Sequence, residues 1–164
     1  MKHAPAITMG PQASAGQGPA PLTFGFDRIV VATDFSPRSK KAVDYAVQLA
    51  QRLGARLTLV HVHPEPVDYA LGQIPIWYWE EVRATMEAKL AEQLAQARRS
   101  YPAVDAQLRT AHDFREELLT VAQDLRAGLL VLSTHGSIGW KHLLFGSDAE
   151  KILERAPCPI LVVR

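Results

Sequence analysis

The sequence predicts an α/β fold: one five-stranded parallel sheet, strand order 3-2-1-4-5, with helices on both faces. Three observations carry this. Short continuous apolar runs recur along the chain, as expected of strands covered on both sides. Segments with apolar residues at helical spacing stand between them. Cap and stop residues punctuate the joins.

The fold begins at Phe26. Ile29-Val30-Val31-Ala32 is the first strand and ends in Thr33-Asp34-Phe35. Ser36-Pro37 then supplies an N-cap followed by proline at the first helical position. Ala42, Val43, Ala46, Leu49, Ala50 and Leu53 follow at helical spacing, and Gly54 is a natural stop. Arg56–Val62 reads as the second strand. Strand, helix and strand within about forty residues form a βαβ unit, which is parallel and right-handed.

His63 to Trp79 reads as a long connection, with prolines at 64, 66 and 75 and the aromatic cluster Trp77-Tyr78-Trp79. Those rings either staple the connection onto the next helix or offer a contact surface to a partner. From Glu80 to about Arg99, an apolar stripe of Val82, Met86, Leu90, Leu94 and Ala97 marks a long amphipathic helix. Val104 to Thr110 alternates weakly and is the third strand, less buried than the others. Asp113 caps a helix with Glu116 as its box partner; Leu118, Leu119, Val121, Ala122 and Leu125 form its buried side, and Gly128 stops it. Leu129–Leu132 is the fourth strand. A glycine-punctuated loop and a helix from about Ser147 to Arg155 follow, and Pro157 and Pro159 separate that helix from the fifth strand, Ile160–Val163.

The 164 residues suit a single domain, and a hydrophobic content of 48% is ample for a core. Residues 1–25, rich in Ala, Gly, Pro, Ser and Gln, bury too little to offset their ordering entropy and are expected to be a flexible extension; residues 26–164 form the domain. A net charge of +1 argues against a broad nucleic-acid-binding face. The single cysteine, Cys158, excludes an internal disulfide framework and a cysteine-based zinc site, and its expected role is a small buried thiol. No apolar stretch approaches the length of a membrane span, and no apolar h-region follows Lys2 and His3. The expected compartment is the cytoplasm, with neither membrane nor nucleic acid as a partner.

In such sheets ligands sit beyond the carboxyl ends of the strands at the topological switch point, here between strands one and four. Those strands end in Thr33-Asp34 and in the Ser133–Ser147 loop. The loop's glycines, Gly136, Gly139 and Gly146, allow close approach of backbone N–H donors to a phosphate. Ser147, with Glu150 after it, has the pattern of a capping box that opens a helix. The same glycines also serve a plain strand-to-helix connection. A carboxylate at Asp34 accepts hydrogen bonds from ribose hydroxyls or holds a metal ion near phosphates; alternatively it makes an Asx turn that caps the helix at Pro37.

Other chemistries fit less well. The dinucleotide and P-loop fingerprints are absent. A phosphoacceptor receiver would need an aspartate ending strand three, which ends in Arg109-Thr110. Ser133, His135 and Asp34 offer the residue types of a hydrolase triad without the G-x-S-x-G elbow. His61 and His63 share a strand face suited to a metal but lack a further ligand. Lys141 and His142 either meet phosphate oxygens or belong to a solvated loop face.

The residues carry a resemblance. I-V-V-A-T-D-F-S (Ile29 to Ser36), L-T-L-V-H-V (Leu57 to Val62) and S-T-H-G…G-S…A-P-C-P-I-L-V-V (Ser133 to Val163) make the span from Phe26 to Arg164 similar to a universal stress protein domain of the adenine-nucleotide-binding type. The family's signature is G-x2-G-x9-G-[ST]. Gly136, Gly146 and Ser147 match its second half, whereas its first glycine is Ser133 here. His112 and Phe114 stand where a G-x-P turn is common.

The resemblance implies a Rossmann-like fold of the HUP class, related to adenine nucleotide alpha hydrolases. It implies a site for ATP or another adenine nucleotide, with or without Mg2+. Adenine would pack near Val62, and Asp34 would hold the ribose, flanked by Ala32 and Thr33. The phosphates would lie along Gly136, Gly146 and Ser147, with Ser133, His135 and Gly139 also in the nucleotide-binding set. It further implies a homodimer joined through Ile160, Leu161, Val162 and Val163, and an edge strand that apolar is a liability unless paired. The expected function is a stress-response regulatory or signalling module. ATP hydrolysis would be slow at most, since no general base, arginine finger or lysine clamp is visible and no catalytic residue is assigned. The alternative is a dimeric interaction module of the same fold that binds no nucleotide.

Overall fold

The computed structural model describes residues 25–65, 75–134 and 152–164. The first 24 residues, the 66–74 segment and most of the strand-four loop, 135–151, lie outside them, so nothing structural bears on the expected extension.

Five strands make one parallel sheet in the order β3-β2-β1-β4-β5: β1 (Arg28–Ala32), β2 (Arg56–Pro64), β3 (Val104–Ala111), β4 (Leu129–Ser133) and β5 (Ile160–Val163). Order and direction are as the sequence predicts. The helices are α1 (Pro37–Leu53), α2 (Ile76–Ser100) and α3 (Phe114–Asp124), and residues 152–155 are also helical.

Alternation within each strand divides the core in two. Ile29, Val31, Leu57, Leu59, Leu129 and Val131 point toward α1 and α2, while Val30, Ala32, Val60, Val62, Leu130 and Leu132 point toward α3, Ile152 and Cys158. The buried Cys158 thiol has its pKa raised by desolvation. Fully burying one such aliphatic side chain contributes about 1.5–3 kcal/mol, so the sheet's two apolar faces dominate the stability of the domain.

Caps behave as read at α1. Ser36 accepts the Ser39 N–H at 3.2 Å, Pro37 opens the helix, and Gly54 closes it in the left-handed region at φ 66°. The apolar face is narrower than expected, however: Leu53 is half exposed, because it stands at the C-terminus beyond the reach of the sheet.

Three expectations need correcting. Trp77, Tyr78 and Trp79 belong to the first turns of α2, not to a connection, since that helix starts at Ile76 behind Pro75. Gly128 does not stop α3, which ends at Asp124 with Arg126 in the left-handed region at φ 49°. Gly128 instead lets the β4 entrance pass the start of the domain: a Cβ there would lie 1.8 Å from the Gly25 carbonyl oxygen. Asp113 does cap α3, accepting the Arg115 N–H at 2.9 Å, but Glu116 is drawn away to pair with Arg155.

β2 outruns its neighbour. Its pairing with β1 ends at Ala32–Val60, whereas pairing with β3 continues to Pro64–Ala111. Residues 61–64 therefore rise as a two-stranded lip beside the crevice.

Candidate functional site

The site is built where β1 and β4 stop. Their register pairs Val31 with Val131, so two residues further on Thr33 and Ser133 reach the same level. Ala32, Thr33 and Ser133 are buried at that junction, and Asp34 is almost so, at 9% exposure. Val62 lies on the lip of β2, level with Asp34 by the β1–β2 register, with its side chain in the α3-side core. Ala32, Thr33, Asp34, Val62 and Ser133 thus lie together at the carboxyl ends of β1, β2 and β4. His135, Gly136, Gly139, Gly146 and Ser147, with Lys141 and His142, lie outside the described residues.

The turn from Thr33 to Ser36 is closely bonded. The Thr33 N–H donates to the Val60 carbonyl at 2.9 Å, extending the ladder past the strand. The Thr33 hydroxyl accepts the Phe35 N–H at 3.2 Å, and an Asp34 carboxylate oxygen accepts the Ser36 N–H at 3.0 Å. The Asx turn is therefore real. It does not exclude a ligand role, because a carboxylate accepts about four hydrogen bonds over its two oxygens.

Phe35 sits at φ 64°, a conformation that costs a non-glycine residue on the order of 1–3 kcal/mol. Its ring stacks 4.4 Å from that of His61. That contact and the hydrogen bonds on either side of Phe35 hold the strained conformation.

Two residues beneath this turn have roles that the sequence did not indicate: Ser39, which carried no expectation, and His61, which was considered only as a metal ligand. Ser39 is fully buried: its hydroxyl donates to the Ser36 carbonyl at 3.1 Å and accepts the Asp34 N–H at 3.3 Å. The signal was available, since Ser39 falls on the same helical stripe as Ala42, Val43 and Ala46, and a hydroxyl buried there must be hydrogen-bonded.

His61 is the second. It continues the inward alternation of Leu57 and Leu59, and its Nδ1 lies 2.8 Å from the Thr33 carbonyl oxygen. A carbonyl only accepts, so Nδ1 carries the proton. Nε2 is buried without a hydrogen-bond partner among the described residues. Burial lowers the His61 pKa below 6.5, and it lowers that of His63 as well. His63 follows at 6.0 Å and Trp79 lies 5.3 Å beyond it, completing a row of four rings from Phe35 to α2. Among the described residues no three metal-ligating side chains cluster, and the two histidines remain a pair.

Trp79 therefore acts as the staple, fastening the start of α2 to the lip, while Trp77 and Tyr78 on the same turn are exposed. At the far edge, β5 presents Ile160 to Val163, with Val162 the most open of the four.

Comparison with known proteins agrees with this architecture. The model of the universal stress protein family matches residues 25–164. A universal stress protein of Thermus aquaticus is 35% identical over 139 residues, spanning 85% of this chain and 99% of the relative. Among solved structures, a universal stress protein in complex with cAMP superposes with a TM-score of 0.62 at 23% identity, covering 85% of this chain and 98% of its own. A universal stress protein of Archaeoglobus fulgidus in complex with dAMP superposes with a TM-score of 0.61 at 20% identity, covering 85% and 99%.

Proposed function

This chain belongs to the universal stress protein family, and from that premise we propose that it binds an adenine nucleotide at the β1–β4 crevice and acts as a regulatory module in a stress response. The observation that carries the reading is the placement of Asp34, a nearly buried carboxylate fixed by the Ser36 N–H, at the switch point of a parallel sheet. Asp34 would receive the ribose hydroxyls, and adenine would lie along the β2 lip near Val62. The phosphates, as ATP or a shorter adenine nucleotide with or without Mg2+, would extend past Ser133 toward the loop of Gly136, Gly139, Gly146 and Ser147. The output would be a changed surface, with hydrolysis slow at most. Two copies would join through the β5 edge, Ile160 to Val163. The cytoplasm is the compartment that suits this role.

Ser133 favours a second reading, a dimeric interaction module without a nucleotide. Its side chain is buried where the family signature has glycine, so it fills space that a bare backbone would leave open.

Native mass spectrometry of the freshly purified full chain separates the two. A co-purifying mass of ATP or AMP on a dimer is the expected result. An apo dimer that also fails to take up added Mg-ATP would overturn nucleotide binding in favour of the interaction module.

A further inference from the structure

We propose that His61 is a proton-sensitive latch: its neutral ring holds the Thr33–Ser36 turn closed, and proton uptake releases that turn and weakens nucleotide binding at the crevice. The second half rests on the function proposed above; the first does not.

The latch follows from how the ring is held. Nδ1–H is committed to the Thr33 carbonyl, one residue before Asp34. Nε2 is enclosed with its lone pair unpartnered among the described residues. A neutral imidazole tolerates this arrangement at modest cost. An imidazolium does not, because it would enclose a charge and an orphan N–H donor in a site only 6% exposed.

The charged and titratable groups around the ring come from three elements. His63 on β2 and Lys89 on α2 oppose a positive charge there, and Asp34 in the turn favours one. The Thr33 carbonyl also favours a charged ring through its bond to Nδ1–H, but burial is the largest influence, acts with the first two and outweighs it. Protonation is therefore relieved by movement that brings the ring to water or closer to Asp34.

The turn is the side that yields. Beyond Val60 the β2 strand is paired only with β3, so the ring's cover on the β1 side is the turn itself. Phe35 stacks directly on the imidazole with a left-handed backbone, so releasing the ring also releases that strain. Asp34 precedes Phe35 and moves with it.

The test uses the full chain and its His61→Asn variant, since an asparagine amide keeps a donor for the Thr33 carbonyl but does not titrate. Side-chain NMR would follow the imidazoles between about pH 8 and pH 5, while amide shifts of Asp34, Phe35 and Ser36 report the turn. AMP affinity would be measured at both ends of that range with EDTA present. We expect His61 to be protonated on Nδ1 at the upper end, to titrate below 6.5, and to carry the turn amides through the same midpoint. AMP affinity should fall, by at most about tenfold for each pKa unit separating the ring's values in the open and closed turns. In His61→Asn the turn amides should cease to titrate, and the pH dependence of AMP binding should shrink to that of the ligand's own phosphate, whose second pKa is about 6. Turn amides indifferent to the His61 titration would overturn the latch even if the variant did not fold. An undiminished pH dependence of AMP binding in a folded variant would overturn it too. Turn amides that track His61 without AMP binding at either pH would support the latch and remove the nucleotide.

Discussion

Asp34 accepts the backbone N–H of Ser36 through one carboxylate oxygen at 3.0 Å, so the residue proposed to hold the ribose is also part of the turn that starts α1. The two roles separate by substitution. Asp34→Asn keeps an oxygen acceptor for Ser36 and should leave thermal stability nearly unchanged. Asp34→Ala removes it and should cost about 0.5–2 kcal/mol, as loss of a helix-capping bond does. Both should weaken AMP or ATP by about 1–3 kcal/mol in a calorimetric titration. Unchanged affinity in the asparagine variant would confine Asp34 to the turn.

Two glycines should respond to alanine for different reasons. Gly54 has a left-handed backbone with open space around its Cβ position, so Gly54→Ala should cost about 1–2 kcal/mol from backbone strain alone. Gly128→Ala drives a methyl into the Gly25 carbonyl and should cost about 1–3 kcal/mol or more through displacement of the β1 entrance. Urea unfolding of the two variants would check the order, and a cheaper Gly128→Ala would contradict the close approach.

The aromatic cluster should divide. Trp79 stacks on His63, and Trp79→Ala should destabilise the domain by about 1–2 kcal/mol. Trp77 is 64% exposed, and its alanine variant should stay within about 0.5 kcal/mol of the parent. Chemical denaturation of both measures the difference; equal losses would mean that Trp77 is packed as well.

Stability should fall from two onsets as the pH drops. His61 and His63 have folded pKa values lowered below 6.5 by burial, so the unfolded chain binds the extra protons. Their contribution is whole above 6.5, declines as the pH drops below it, and levels off once the folded pKa values are passed. Asp113 is held below 3.8 by hydrogen bonds from Arg115, so its smaller contribution is present above 3.8 and lost as the pH falls through its folded pKa. Urea midpoints should begin to decline below 6.5 and should decline further below 3.8. His61→Asn should shrink the first step, and Arg115→Ala the second.

Most of the sheet was legible because its signals are local. Each strand is an apolar run, and the parallel order follows from the helices between them. Ser36-Pro37 and Gly54 announce the ends of α1 in single residues. The start of α2 carries no such mark: Pro75 occupies the cap position without a side-chain bond, so the first turn, with Trp77, Tyr78 and Trp79, read as part of the connection. Arg126 and Phe35 take left-handed backbones that neither residue type suggests: at Arg126 the backbone bond from the Ala127 N–H to the Ala122 carbonyl closes the end of α3, and at Phe35 the bonds on either side hold the turn. The switch point follows from topology and Asp34, but Ser39 gave no expectation and His61 was considered only as a metal ligand. Ser39 and His61 face inward on apolar stripes, and their bonds reach Asp34 and Thr33 across a turn that spacing alone does not close.

The unequal lengths of β1 and β2 have a dynamic consequence. Leu57 to Val60 lie between two strands, while residues 61–64 are laddered to β3 alone. Amide exchange should be slowest in the first group and faster in the second, since opening the lip breaks one ladder instead of two. The sheet thus has a rigid half and a compliant half, and the crevice lies on the border, where a bound molecule would be felt as slowed exchange along the lip.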